Sequence, residues 1–296
     1  MSDVKKPANR YNAKVSKILT FSCVDGPGNR LVIFLQGCNF SCVNCHNPHT
    51  INHCNHCGIC VPYCPDGALT FTPERKVLWD AAKCTQCDKC TDICSFQASP
   101  KVTEYSVAGL LEVIRDNHLF IDGITVTGGE ATLELPFVSA LFSEIKNDSE
   151  LKHLSCFVDS NGSLSTQGWK KIASVMDGAM VDLKAWQSET HEWLTGRDNH
   201  RVFKSLEYLA EQRKLYEIRL LLIPGQTDLE QEVESLGKYL SALPTDVQIR
   251  INAFQHHGVT GEALLWDKCS KEQTVSFQQA LEKSSGRKVV IPSVFL

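Results

Sequence analysis

Eleven of the fourteen cysteines fall between positions 38 and 94, and no other feature restricts the fold as strongly. A disulfide scaffold is small and secreted, whereas 296 residues with 43% apolar content can build a full core without staples. Cysteines crowded this densely in such a chain read as metal ligands. Cys23, Cys156 and Cys269 lie outside the crowd and read as small buried hydrophobes.

Cys38, Cys42 and Cys45 follow the apolar run at 31–35 and sit in Gln36-Gly37-Cys38-x3-Cys42-x2-Cys45-His46-Asn47-Pro48. A cubane iron–sulfur cluster has four irons, each normally held by one thiolate. Three local thiolates leave one iron open, and an open position separates a reacting metal site from a closed structural one. A zinc site completed by His46 or His49 is the duller alternative for these three cysteines.

The other eight form a repeat. Cys54-x2-Cys57-x2-Cys60-x3-Cys64 recurs thirty positions later as Cys84-x2-Cys87-x2-Cys90-x3-Cys94, and Ala68 and Ala98 keep the offset. Tetrahedral zinc has no use for triplets followed by a fourth cysteine. The spacing is that of bacterial two-cluster ferredoxins, where the fourth cysteine ligates the other cluster. On that pattern Cys54, Cys57, Cys60 and Cys94 hold one cluster, while Cys84, Cys87, Cys90 and Cys64 hold another. Runs at 69–71 and 77–79 around Thr72-Pro73-Glu74-Arg75-Lys76 predict a hairpin between them.

Outside this insert, β-branched runs at 31–36, 124–127, 154–159, 179–183, 217–223 and 247–252 alternate with helical spacing at 106–120, 134–146, 165–175, 200–213 and 228–242. Ser106 and Asp228 are the expected caps. A run at 15–21 precedes the first strand and another at 289–291 comes last. Such alternation implies a parallel sheet with helices outside. The expected fold is α/β: a partial (β/α)6 TIM-like barrel over 1–51 and 102–296, with an inserted α+β, bacterial-ferredoxin-like domain at 52–101.

Polar motifs follow the strands: Gly128-Gly129-Glu130, Asp159-Ser160-Asn161-Gly162, Asp182-Leu183-Lys184, Pro224-Gly225 and Gln255-His256-His257. The carboxyl ends of barrel strands form the reactive face. Glycine allows backbone to approach a ligand closely, Glu130 can accept from an ammonium group, and Asp182 with Lys184 can grip a carboxylate or its counter-ion. Together they describe a pocket for the zwitterionic end of an amino acid beside an open iron. The net charge of −4, with signs interspersed, advertises no nucleic acid. No run reaches the ~20 apolar residues that span a bilayer, and residues 1–14 are polar, unlike a signal peptide, so a cytoplasmic location is expected.

Phe21-Ser22-x2-Asp25-Gly26-Pro27-Gly28-x-Arg30, running into the triplet with His46-Asn47-Pro48, resembles the radical S-adenosylmethionine activating enzymes of glycyl radical enzymes. The two-ferredoxin insert marks the larger subgroup, and the resemblance is greatest to the YjjW-type activases. It implies an anaerobic oxidoreductase with three [4Fe–4S] clusters, in which Cys38, Cys42 and Cys45 hold the catalytic one. That cluster would cleave S-adenosylmethionine to a 5′-deoxyadenosyl radical, which takes hydrogen from a glycine of the partner enzyme. By similarity, Asn44, His46, Asn47, Gly128, Gly129, Glu130, Asp159, Ser160, Asp182, Lys184, Arg219 and Gln255 contact S-adenosylmethionine. Asp159, Ser160, Met180 and Asp182 match positions that hold a monovalent cation in relatives. The implied partners are a glycyl radical enzyme and a flavodoxin- or ferredoxin-type reductant; the insert clusters either relay electrons from such a donor or brace a docking surface. A radical enzyme acting on a small molecule, or a non-enzymatic electron carrier, remains the alternative at this point.

Overall fold

The computed structural model describes residues 11–292; residues 1–10 of the polar N-terminal stretch, and the last four of the chain, lie outside them. Strands β1 (Asn12–Ser22) and β2 (Arg30–Leu35) open the fold. Segment 52–101 carries β3 (Asn52–His53), β4 (Leu69–Phe71), β5 (Val77–Trp79), α1 (Lys89–Asp92) and β6 (Ala98–Ser99). Then come β7 (Thr103–Ser106), α2 (Val107–Asn117), β8 (Gly123–Gly128), α3 (Leu135–Asn147), β9 (Ser155–Ser160), α4 (Thr166–Ile172) and β10 (Gly178–Leu183). The chain continues with α5 (Ser188–Thr195), α6 (His200–Glu211), β11 (Leu215–Leu222), α7 (Val233–Ala242), β12 (Gln248–Ala253) and α8 (Lys271–Ser285).

One eight-stranded sheet runs β12-β11-β10-β9-β8-β2-β1-β7. The six strands from β12 to β2 are parallel, and β1 and β7 add antiparallel partners at one side. Because the order is linear, the barrel is open, as the six strand signals imply. Ile33, Leu35, Ile124, Val126, Val158, Val181, Ile218, Leu220, Ile249 and Ile251 face the helices and join the main core. Each fully buried aliphatic side chain contributes about 1.5–3 kcal/mol. Period two then turns the alternate residues to the other face, which is polar from Thr125 and Thr127 to Asp159, Asp182, Arg219 and Arg250.

Ser106 caps α2 as expected, accepting from the Gly109 N–H at 3.1 Å. Asp228 is not a cap: α7 starts at Val233, and the Asp228 carboxylate accepts instead from the Trp186 and Gln187 amides at 2.7 and 2.8 Å. The run at 289–291 makes a single bridge, Val290 against Arg250, rather than a strand. Helices α5 and α8 arise where no helical spacing was read. Cys156 and Cys269 are buried, but Cys23 is exposed, with its Sγ against Asn29 Oδ1 at 3.0 Å. Among the described residues no helix is long and apolar enough to cross a membrane.

Segment 52–101 makes its own two small sheets, β3 with β6 and β4 with β5. The hairpin forms as its sequence predicts, closed by the Thr72 N–H to Lys76 carbonyl bond at 2.8 Å. The thirty-residue repeat is written into the backbone as well. Left-handed conformations recur at His56 and Gln86 (φ 60° and 59°), at Gly58 and Asp88 (78° and 59°), and at Gly67 and Gln97 (61° and 46°). Ala68 and Ala98 are both buried.

Candidate active site

The polar face of the sheet encloses a cavity of about 510 Å³. Cys38, Cys42 and Cys45 line it from the loop after β2, and Gly128 and Gly129 from the end of β8. Asp159 and Ser160 of β9, Asp182 and Lys184 of the β10 end, and Arg219 of β11 complete the opposite wall. The residues come from separate strand ends across roughly 180 positions of sequence, which is how a parallel barrel assembles a site.

Gly37 turns the chain out of β2 at φ 105°, a conformation that glycine adopts without strain. The cysteine loop is then pinned at both ends. Gly37 and Cys38 donate their amides to Thr50 and Ile51, both at 2.8 Å, and the Gln36 side chain donates to the His49 and Asn52 carbonyls at 2.8 and 2.6 Å. Midway, Ser41 and Val43 donate to the Thr195 and Leu194 carbonyls at the end of α5, both at 2.9 Å. Burial pushes the Cys38 and Cys42 thiols up to about 11 and raises Cys45 too, so bare thiols stay protonated and metal binding would release their protons. Among the described residues no three His, Cys, Asp or Glu side chains converge on a single ion. A cubane asks for a wider spread, since each thiolate takes a different iron.

The end of β8 is locked onto this loop. Gly129 donates to the Leu35 carbonyl at 3.0 Å, and Glu130 N–H to Gly37 at 2.8 Å. A Cβ on Gly129 would collide with the carbonyl groups of Gly37 and Thr50, and one on Gly128 with the Leu35 backbone. The glycines thus serve strand-to-loop contact as well as the cavity. Glu130 does not line the cavity. The residue is 1% exposed, and its carboxylate accepts from Thr132 N at 3.0 Å, Thr132 Oγ1 at 2.5 Å, Ser160 Oγ at 2.8 Å and Asn161 N at 2.7 Å. Burial raises its pKa against those donors. It organises the loop after β9 from behind the wall.

That loop carries Asn161, which the motif after β9 includes but to which the sequence assigns no role. Asn161 Nδ2 donates to Asn39 Oδ1 at 3.0 Å and points at the Cys38 sulfur at 3.9 Å, so it can orient a ligating thiolate. Phe34, Thr127, Leu221 and Asn252 also line the cavity, and their signal lay in the strand alternation.

The far wall is a charge network in register across neighbouring strands. Arg219 donates to Glu217 at 2.7 Å, to Asp159 at 3.1 Å and to the Val24 carbonyl at 3.2 Å, while Arg250 takes the other Glu217 oxygen at 2.8 Å. Burial pushes Asp159 up to about 6, against the pull of Arg219. Lys184 pairs with Asp182 at 2.8 Å. Burial disfavours its charge, yet Asp182 and the neighbouring Cys42 and Cys45 hold it above the ordinary lysine range. Met180 is buried, with its sulfur 3.1 Å from an Arg219 nitrogen.

Asn44, His46 and Asn47 line the cavity beside the cysteines. Asn44 Oδ1 is buried and has no partner among the described residues. Burial lowers the His46 pKa, and its Nε2 lies 3.1 Å from the Gln255 carbonyl. The Gln255 side chain, in contrast, turns away to donate to the Cys269 carbonyl at 3.0 Å and takes no part in the cavity wall. Asp25, whose carboxylate accepts from Ser22 Oγ at 2.5 Å, reaches the cavity from the other side. Arg30 secures that segment from below by donating to the Pro27 carbonyl and to Thr125 Oγ1, at 3.3 and 3.2 Å.

Two further small cavities lie in segment 52–101. Cys54, Cys57 and Cys60 share one with Cys94, and Cys84, Cys87 and Cys90 share the other with Cys64. The first is also touched by Cys90.

The Radical SAM superfamily model matches residues 32–237. The chain is 28% identical over 257 residues to the isethionate sulfite-lyase activating enzyme of Desulfovibrio desulfuricans, covering 80% of this chain and 81% of that one. It is 29% identical over 238 residues to the pyruvate formate-lyase-activating enzyme of Streptococcus mutans, covering 77% and 72%. Among solved structures, QueE of Escherichia coli aligns at a TM-score of 0.51 and 14% identity over 96% of this chain and 95% of that one, a likeness of fold.

Proposed function

The chain belongs to the radical S-adenosylmethionine superfamily, and from that premise we propose that it activates a glycyl radical enzyme. One observation carries the reading: a single cavity brings Cys38, Cys42 and Cys45 together with Gly128, Gly129, Asp182 and Lys184. The names of its relatives, activating enzymes of isethionate sulfite-lyase and of pyruvate formate-lyase, support the same choice.

The donor set fits a site-differentiated cubane, with three half-buried thiols on a loop fixed at both ends and no fourth cysteine lining the cavity. When bound, that cluster supplies the electron that splits S-adenosylmethionine into methionine and a 5′-deoxyadenosyl radical, which abstracts hydrogen from a partner glycine. The chain's own residues prepare the space. Lys184, held protonated by Asp182, offers a cation to the cofactor carboxylate. Asn44 offers an unused acceptor to a donor such as the adenine amino group. Asn161 would steady the Cys38 thiolate. Asp159 and Asp182, matched by resemblance to a monovalent-cation site, already face Arg219 and Lys184, so a cation would have to share them.

For segment 52–101 the reading is a ferredoxin-like module with two cubanes ligated crosswise, Cys54, Cys57, Cys60 and Cys94 in one and Cys84, Cys87, Cys90 and Cys64 in the other. The backbone repeat and the membership of the two small cavities support it. These clusters would pass electrons from a flavodoxin- or ferredoxin-type donor, and the insert places the chain with the YjjW-type activases that it resembles.

Anaerobic reconstitution tests this. The protein should bind about twelve irons, and Cys42→Ala about eight with no cofactor cleavage. With S-adenosylmethionine, dithionite and a glycyl radical enzyme, electron paramagnetic resonance should show a glycine-centred radical. Cofactor cleavage that never yields that radical, but modifies an added metabolite, would overturn the assignment.

A further inference from the structure

The two halves of segment 52–101 repeat in backbone but differ in the chemistry around their cysteines. In the first half positions 58 and 71 meet, and a Cβ on Gly58 would overlap the Phe71 ring. Thirty residues later the equivalent positions also meet, now as an ion pair between Asp88 and Lys101. The cavity of Cys54, Cys57, Cys60 and Cys94 has no charged side chain in its wall. The cavity of Cys64, Cys84, Cys87 and Cys90 is lined by two acids, Asp66 and Asp88, two bases, Lys89 and Lys101, and the indole of Trp79.

The Trp79 Nε1–H is buried and meets no acceptor among the described residues. Indole N–H groups generally find a partner when buried, and an unmet donor costs about 1–3 kcal/mol. The thirty-residue counterpart of Trp79 is His49, which does not line the first cavity. Only the second cavity therefore has a spare N–H donor of this kind. The charges there are balanced in number but not in burial: the Lys101 side chain is 11% exposed and that of Asp88 60%. A buried charge is screened less than an exposed one, so Lys101 acts in the same direction as the indole.

Resting on the reading that both cavities hold cubanes, we propose that Trp79 donates to sulfur of the cluster held by Cys64, Cys84, Cys87 and Cys90. That cluster then accepts an electron more readily than its neighbour held by Cys54, Cys57, Cys60 and Cys94. A donor to sulfur stabilises the negative charge that the cluster gains on reduction, and hydrogen bonds to sulfur are among the levers that set cluster potentials. An electron delivered to the insert consequently rests on the Trp79 side.

The test is a redox titration of the full-length, anaerobically reconstituted protein, with dithionite as reductant and electron paramagnetic resonance as readout. Two insert clusters should titrate separately, and Cys84→Ala should remove the higher-potential one. Trp79→Phe, which keeps the ring and removes the donor, should make the reduction equilibrium of that same cluster about tenfold less favourable, ~59 mV for one electron. The lower-potential cluster should not move. Lys101→Met should shift the same cluster by less, and this reading does not depend on the Trp79 variant folding. Coincident potentials, or loss of the lower one in Cys84→Ala, would overturn the proposal while leaving a two-cluster insert intact. An iron content near four rather than twelve would remove the insert clusters themselves, and the proposal with them.

Discussion

Replacing Glu130 with glutamine separates two roles for this carboxylate. Its Oε1 accepts three hydrogen bonds and its Oε2 one, from Asn161 N at 2.7 Å. A glutamine can keep an oxygen toward Thr132 and Ser160, but its amide nitrogen then faces the Asn161 N–H, donor against donor. Losing a buried hydrogen bond to a charged acceptor costs about 1.5–3 kcal/mol. Part of this is offset, because burial already raises the pKa of Glu130 and the neutral side chain escapes that penalty. A net loss of about 1–2 kcal/mol follows, equivalent to roughly 2–8 °C in Tm for a chain of this class. Glu130→Ala strands all four donors and should cost ~3–5 kcal/mol. The assay is anaerobic thermal unfolding without S-adenosylmethionine, paired with equilibrium binding of the cofactor. An unchanged Tm, together with at least tenfold weaker binding, would show that the carboxylate serves the ligand and that this account of the β9 loop is wrong.

Other perturbations read other parts of the wall. Gly129→Val should lower bound iron by about four of twelve, because its side chain drives into the Gly37 and Thr50 carbonyls of the cysteine loop; iron analysis decides. Filling an open pocket alone would leave iron untouched. Asp159, held near 6 rather than 3.8, keeps a proton in the folded state that the unfolded chain releases. Its stabilising contribution is present below the unfolded value and is lost as pH rises through about 6, by no more than ~3 kcal/mol. Chemical denaturation of the apoprotein should show that fall between pH 4 and 6, and Asp159→Asn should flatten it. Lys184→Met should weaken cofactor binding by about tenfold or more while leaving iron content unchanged, provided that the ammonium meets the cofactor carboxylate.

What could be read from the sequence, and what could not, divides along physical lines. The six parallel strands were legible because each carries an apolar run long enough to mark its place. Helix α8 was missed although Ser270 and Gln273 form a capping box, because its apolar positions are few. Asp228 had the right residue type for a cap, but its carboxylate found two amides forty residues away in sequence, and local propensity lost to a tertiary partner.

The same competition explains the site. Asp182, Asp159 and Arg219 lie where period two along adjacent parallel strands puts them, with Asp182 opposite Arg219 and Met180 opposite Asp159. Asp182 is marked by its strand-end spacing to Lys184, whereas Asp159 and Arg219 are marked as cofactor contacts by the family resemblance. Glu130 and Gln255 lie beyond their strand ends, where no periodicity fixes direction, and each was captured by nearer backbone groups. Asn161 shows the converse. Next to a strand-end serine, it reads as a turn residue, and only the approach of β9 to the cysteine loop gives its amide a sulfur to face. Residues inside strands therefore announce their face of the barrel in the sequence. Residues just past strand ends acquire theirs from whichever unmet donor or acceptor the neighbouring loop brings within reach.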